Sequence, residues 1–281
     1  MKVTLDMHGS SRLKSLLARP WLLPDKIVAY FLSKLTHCAR LSTNSFGWVQ
    51  AILYSRRIDQ WQRYSSVAQQ VKALDEPAIS VLDVGGGQGT IGEFLDPEEY
   101  RLCVLDIDTE TLARAAKSGL ELIAGDGCCM PFEDSVFDVV ISVDSLEHVP
   151  DAKKASYCHE LKRVAKRYVI LHCPADSADD RFQGTAYDTK FLEWYHDHFK
   201  RDEPNTVEHL NSGLPKVEKL GELFPGASVL GKQNTEVWFK YWTTGCLPYI
   251  RFITGLLYKL CLQSRDDLPP YHACLLVWRK M

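Results

Sequence analysis

Three carboxylates and one run of glycines are the residues best placed to do chemistry. The run Val81-Leu82-Asp83-Val84-Gly85-Gly86-Gly87-Gln88-Gly89-Thr90 reads as an apolar stretch, an acid and then a glycine bend. Such a bend lets backbone approach a nucleotide-like ligand where a Cβ would block it, and a helix start offers N–H groups. Asp106 closes the next apolar run, and Asp126 follows the third. His148 and His172 end or follow two further apolar runs, while His196, His198 and His209 fall in a polar region. An imidazole beside a bound ligand can take a proton from an oxygen or carbon nucleophile near neutral pH.

The elements that would position these groups alternate. Strands are expected at 79–84, 102–106, 120–124, 137–143 and 168–173, with helices at 90–95, 109–117 and 152–164. Asp108 or Thr109 can cap the second of these helices. The 137–143 run is nearly all apolar, as for a strand covered on both faces. This βαβα rhythm predicts a parallel sheet between two helical layers. Beyond Pro174 the rhythm loosens. A helix is expected around 191–199 and a loop ending in Leu214-Pro215. A short helix at 217–223 should stop at Pro225-Gly226, and two late strands at 228–239 and 271–278 flank a helical insert at roughly 245–263. Residues 1–75 look helical, from Trp21-Leu22-Leu23, Ile27, Val28, Phe31, Leu32 and Leu35 and then, less regularly, Trp48, Ile52, Ile58 and Trp61.

The glycines alone leave two readings open, because Gly87-x-Gly89-x-x-Gly92 also fits a dinucleotide-binding turn and thus a nicotinamide-dependent oxidoreductase. Three features favour another ligand. Asp83 would crowd a pyrophosphate and suits an ammonium group. The dinucleotide register would run a strand through Gly85-Gly86. Gly125-Asp126 would have no role.

The motifs together resemble those of class I S-adenosylmethionine-dependent methyltransferases. Asp83-Val84-Gly85-Gly86-Gly87-Gln88-Gly89 is similar to their first motif and Val104-Leu105-Asp106-Ile107-Asp108 to their second. Ala124-Gly125-Asp126-Gly127 with the 130–140 segment resembles the third, and 141–151 the fourth. The resemblance spans about 79–174. It implies a Rossmann-like α/β fold: a seven-stranded, mostly parallel sheet with helices on both faces and an antiparallel last strand. N-terminal helices and a helical insert before the last strand would complete it. The domains expected are a helical N-terminal extension at 1–75 and a methyltransferase domain at 76–281. The latter would comprise a cofactor half at 79–174, substrate-facing elements at 176–215 and a helical insert at 241–268.

The resemblance implies S-adenosylmethionine as cofactor, with a task for each residue. Asp83 would hold the methionine ammonium, directly or through water. Gly85 and Gly87 would admit the ligand, and Gly89 would let the next helix pack closely. Asp106 would accept from both ribose hydroxyls, with Ile107 against the adenine. Asp126 would accept from the adenine amino group, beside a free Gly127 N–H. Ser142 to Asp144 would line the methionine end. His148, His172 and His209 are the candidate catalytic bases, and Tyr187, Trp194 and Tyr195 a candidate aromatic wall. The expected reaction is methyl transfer to oxygen, or to carbon, of a small-molecule, glycan or lipid-linked acceptor. The alternatives are the oxidoreductase and a methyltransferase-like binding protein without turnover. Nucleic acid is disfavoured as partner: Val143-Asp144-Ser145-Leu146 stands where base-amino methylating relatives carry Asn-Pro-Pro-Tyr, and no basic stripe with stacking aromatics is visible.

Composition is that of an ordinary globular chain: 281 residues, 46% hydrophobic and 25% charged, with net charge −3. The charge is uneven. Residues 1–66 hold ten Lys/Arg against three Asp/Glu, and 240–281 hold six against two, around an acidic middle. Around 248–262, Tyr249, Ile253, Leu256, Leu257 and Leu260 share one helical face, with Arg251, Gly255 and Lys259 on another. This basic amphipathic pattern, and the N-terminal Arg12, Lys14, Arg19, Trp21 and Lys26, raise peripheral contact with an anionic membrane. Nine cysteines without a Cys-x-x-Cys, and no evident leader or spanning segment, give a cytoplasmic expectation, at the membrane face where the basic flanks engage it. Adjacent Cys128 and Cys129 lack a second cluster, so no metal is expected from them.

Overall fold

The computed structural model describes residues 57–74, 80–115, 119–247, 250–251 and 253–281. The chain divides into two compact units, Met1–Ser42 and Thr43–Met281, and all described residues lie in the second. The helical expectations for residues 1–56, the basic N-terminal residues and Tyr249 fall outside the described residues.

Strands β1 (Ser80–Val84), β2 (Arg101–Asp106), β3 (Glu121–Ala124), β4 (Phe137–Val143), β5 (Ala165–Pro174), β6 (Ser228–Asn234) and β7 (Tyr271–Arg279) form one sheet in the order β3-β2-β1-β4-β5-β7-β6. Pairs among β1 to β5 are parallel, and β7 runs antiparallel to both β5 and β6. The order reverses between β1 and β4. That is where an open α/β sheet leaves a crevice beyond its strands' carboxyl ends.

The first helix among the described residues, α1 (Ile58–Lys72), packs on β4 and β5 and buries Val67, Ala68 and Val71. α2 (Thr109–Ala115) follows β2, and α3 (Asp151–Val164) follows β4. α3 packs Tyr157, Cys158 and Leu161 into a core with Leu82, Val84, Val140 and Leu171. Because side chains alternate along a strand, Asp83 points to the other face, toward α1.

The 90–95 helix is only a tight turn at Thr90–Glu93, entered through Gly89 in the left-handed region (φ 72°). Past β5 come α4 (Gly184–Phe199), α5 (Pro204–Ser212) and α6 (Val217–Leu223). α4 begins seven residues before the helix the sequence suggests. α5 replaces part of the expected loop, because Pro204 opens it and Glu203 caps it at the Thr206 N–H.

The late strand predicted to reach Phe239 ends at Asn234. The Asn234 side chain accepts from the N–H groups of Glu236 and Val237 and starts α7 (Thr235–Cys246) instead. The helical insert is therefore α7 followed by α8 (Thr254–Leu257), which continues as irregular helix to Arg265. α8 and its continuation bury Thr254, Gly255 and Tyr258, while Leu260 stays exposed. Gly255, expected on the polar face, thus lies on the docked one. No described helix is long and apolar enough to cross a membrane.

Candidate active site

The glycine loop is closed by the protein's own atoms. Gly85 donates to Leu105 O (2.7 Å), and Gly89 donates to Gly86 O (2.9 Å). A Cβ on Gly85 would sit 2.0 Å from Ser145 Oγ, and one on Gly86 would sit 2.6 Å from Asp83 Cγ. The Asp83 carboxylate is thus tucked directly beneath the bend. At Gly89 a Cβ would reach Leu120 at 2.5 Å, so this glycine serves packing across the sheet edge.

Asp83 is fully buried, and neither carboxylate oxygen has a hydrogen-bonding partner among the described residues. Desolvation, and then the nearby Asp106 charge, push its carboxyl up to about 8. A buried carboxyl without a hydrogen-bond partner suits a cation or donor.

Asp106 stands at the end of β2, half-buried. One oxygen accepts from Gly87 N–H and the other from Asp108 N–H, both at 2.8 Å. Each oxygen keeps a lone pair, so the residue can still accept from two hydroxyls. Its neighbour Ile107 is 74% exposed, an unusual state for a large apolar side chain. Asp126 is exposed and accepts from Cys128 N–H (2.8 Å), which shapes the loop after β3. Gly127 lies against Tyr157, whose Cε2 a Cβ would approach to 2.4 Å. The five positions Asp83, Gly87, Asp106, Asp126 and Gly127 therefore sit at the carboxyl ends of β1, β2 and β3.

Tyr157 was not legible as a site residue. Its hydroxyl meets Ser142 Oγ (2.8 Å) and donates toward Val84 O (3.2 Å) and Ser145 Oγ (3.1 Å). Ser142 is fully buried in this cluster. It braces the tyrosine under the loop and does not line the crevice.

Across the crevice lies a second polar group, set by the end of β4. Asp144 has a left-handed backbone (φ 46°) and donates its N–H to His172 O at 2.8 Å. Its carboxylate accepts from Arg63 Nη1 and pairs with His172 Nδ1, both at 2.6 Å. Burial alone would raise the Asp144 carboxyl, but Arg63 and His172 hold it well below the usual carboxylate range. Arg63, on α1, also binds Asp59 at 2.6 Å. Tyr64, one residue on, is close enough to feel the charges of Asp83, Asp144 and Asp106, so α1 spans from the glycine loop to the acid–histidine pair. His172 is fully buried, with Nε2 unpartnered.

His148 and His209 meet edge to face, with ring centroids 4.7 Å apart. His148 Nδ1 lies 3.1 Å from Glu208, and His209 Nδ1 lies 3.0 Å from Asp188. Asp188 also holds His272 Nε2 at 2.8 Å. Beneath them Glu147 is fully buried, with both oxygens lacking a hydrogen-bond partner among the described residues. Burial and then Asp144 drive its carboxyl up to about 8. Burial opposes protonation of His209, but Asp188 and Glu147 outweigh it and raise the imidazole to about 9. His148 is lowered by burial and by His209.

Of the three candidate bases, His148 and His209 are thus neighbours, and His172 forms a separate pair with Asp144. His196 binds Asp202 and His198 binds Trp194 O, both on exposed surface. Trp194 and Tyr195 pack around Phe191, and Tyr187 bonds Glu236, so these aromatics belong to the α4–α7 contact. Arg63, Glu147, Asp188 and His272 went unread. Only the Glu-His dipeptides at 147–148 and 208–209 hinted at the cluster.

Residues 81–167 match a methyltransferase-domain family. Demethylmenaquinone methyltransferase of Thermobifida fusca is 32% identical over 112 residues, covering 35% of this chain and 47% of that protein. Norajmaline N-methyltransferase of Rauvolfia serpentina is 28% identical over 127 residues, covering 40% and 39%. The chain thus spans less than half the length of these curated relatives. Among solved structures, a phosphoethanolamine N-methyltransferase 2 of Haemonchus contortus, bound to phosphomonomethylethanolamine and S-adenosylhomocysteine, superposes with a TM-score of 0.51 at 16% identity. That likeness covers 85% of this chain and 60% of the other, and it concerns the fold alone.

Proposed function

We propose, from the premise that the chain belongs to the class I S-adenosylmethionine-dependent methyltransferases, that it moves a methyl group from S-adenosylmethionine to a hydroxyl oxygen of a small-molecule, glycan or lipid-linked acceptor. The observation that carries this reading is the unpartnered Asp83 carboxylate buried under the glycine bend, with Asp106 and exposed Ile107 beside it.

These residues fit the cofactor. Asp83 would meet the ammonium, giving up its proton as it does so. Asp106 would accept from the ribose hydroxyls with its two spare lone pairs. Ile107 would cover one adenine face, and Asp126 would accept from the amino group. When bound, the cofactor supplies an electrophilic methyl carbon on a sulfonium.

The chain's remaining task is to align an acceptor, exclude water and take a proton. His172 suits the last role. Asp144 fixes its Nδ1, which leaves Nε2 as the atom that would accept the proton of an acceptor hydroxyl. The buried carboxylate of Asp144 would stabilise the imidazolium formed as that proton is taken. The acceptor class draws further support from relatives named for a quinone and an alkaloid substrate.

Labelled methyl transfer into cell-extract fractions tests the reading, with organic and aqueous phases counted apart. Base-labile or base-stable product then separates ester from ether. Incorporation lost in His172→Gln, with S-adenosylhomocysteine still bound, supports the role given to His172. Thermal stabilisation by NADH, with none by S-adenosylhomocysteine, would overturn the cofactor.

A further inference from the structure

Glu147, His148 and His209 each offer a ligand atom within 4.8 Å of the others. We propose that they bind one divalent transition-metal ion of the zinc class. Two imidazoles and one carboxylate are the donor set such ions favour, and three protein ligands leave positions open for a further oxygen.

Four observations support the assignment. Glu147 is fully buried and neither oxygen has a hydrogen-bond partner among the described residues, which leaves both free to ligate. Each histidine is tied at Nδ1 by a carboxylate, Glu208 for His148 and Asp188 for His209. With Nδ1–H donating, each ring presents the Nε2 lone pair that a metal needs, and the carboxylate raises its basicity.

The frame is also rigid. Asp188 is itself 1% exposed and shared with His272, which stacks on Trp238 at 3.8 Å. The buried Lys154 Nζ joins Val149 O to Ser212 O, both at 2.8 Å, and so fastens α5 beside the Leu146–His148 turn. Finally, the site is reachable from solvent. The His148 side chain is 33% exposed and Glu147 forms the floor.

Arg63 answers Asp59 and Asp144, and the histidines answer Glu208 and Asp188, so among the described residues Glu147 is the carboxylate here with no hydrogen-bond partner on its oxygens. The ion would lie beside the Asp144–His172 pair and could take an acceptor hydroxyl into an open position. That use of the ion rests on the methyl-transfer reading, whereas the ion's binding does not.

The test uses the full chain, stripped with a chelator and titrated with Co2+ by visible absorption, then with Zn2+ in competition. One Co2+ per chain with ligand-field bands, displaced by Zn2+, is expected. Glu147→Gln and His209→Ala should each weaken Co2+ at least 100-fold. Asp188→Asn should weaken it 10- to 100-fold by loosening His209. The proposal is overturned if the wild-type chain gives no ligand-field bands, or if Glu147→Gln and His209→Ala bind Co2+ as the wild type does. Unchanged circular dichroism in Glu147→Gln confirms that a loss there is local. S-adenosylhomocysteine titrated into the same stripped protein reports the cofactor site separately, so failure of either claim is told apart from failure of the other.

Discussion

Binding of the cofactor product should drive a proton off Asp83. With its carboxyl near 8, about 97% of the free protein carries that proton at pH 6.5. Tyr64, Tyr157 and Asp106 face the group, and none supplies a positive charge. The ammonium of S-adenosylhomocysteine should make the carboxylate ionise. The ligand's own amino group, beside a free carboxylate, is more basic than a peptide terminus and is nearly all protonated at this pH. Net release is then about 0.9 proton. At pH 9 the sign reverses, because Asp83 is already ionised and the neutral ligand amine must gain a proton.

The affinity follows from the same numbers. Breaking a buried ion pair costs about 3–5 kcal/mol. Ionising Asp83 at pH 6.5 consumes about 2 kcal/mol of that, at 1.36 kcal/mol per pH unit. Asp83→Asn should therefore lose about 1–3 kcal/mol, or roughly 5- to 150-fold in Kd. Calorimetry in buffers of different ionisation enthalpy measures both quantities. If the wild-type chain binds at pH 6.5 with no proton release, Asp83 does not meet the ammonium and the reasoning fails.

Other expectations follow from the same contacts. Because the Asp83 carboxyl is raised on folding, the folded chain holds an extra proton between about pH 4 and 8, and stability falls as pH rises through that window. Asp83→Asn without ligand should melt higher than wild type at pH 9, with the gap closing by pH 5. Arg63→Met strands Asp59 and Asp144 and should destabilise the fold by about 3–5 kcal/mol in denaturant titrations, while Arg63→Met with Asp144→Asn should recover part of it. Tyr157→Phe leaves Ser142 without its partner and should cost about 1–3 kcal/mol, visible in the same titrations. The proposed contact with an anionic membrane should appear as co-flotation of the full chain with phosphatidylserine vesicles, reduced by changing exposed Leu260 to Asp. Recovery wholly in the soluble fraction would remove it.

Strands β1 to β5 were readable because each is a short run with apolar residues at its core, and β4 is buried along nearly its whole length. The placement of Asp83, Asp106 and Asp126 was readable because each lies at or just past the end of a strand. The run after Ser228 misled because Val237, Trp238 and Phe239 are as apolar as a strand, and only the cap at Asn234 turns the chain. The rest of the site depends on distant pairings. Arg63 meets Asp144 across 81 positions and Asp188 meets His272 across 84, contacts that no local pattern encodes. Gly85 and Gly86 were legible as glycines, but what excludes a side chain there is Ser145 and Asp83.

The claim that three strand-end carboxylates around the glycine bend grip one sulfonium nucleotide is tested most directly by equilibrium dialysis with radiolabelled S-adenosylmethionine. Asp106 would lose two charge-assisted hydrogen bonds in Asp106→Ala, about 3 kcal/mol. The wild-type chain should retain one equivalent of label, and the variant should bind roughly 100-fold more weakly. No retention by the wild type, or equal retention by the variant, would contradict the account.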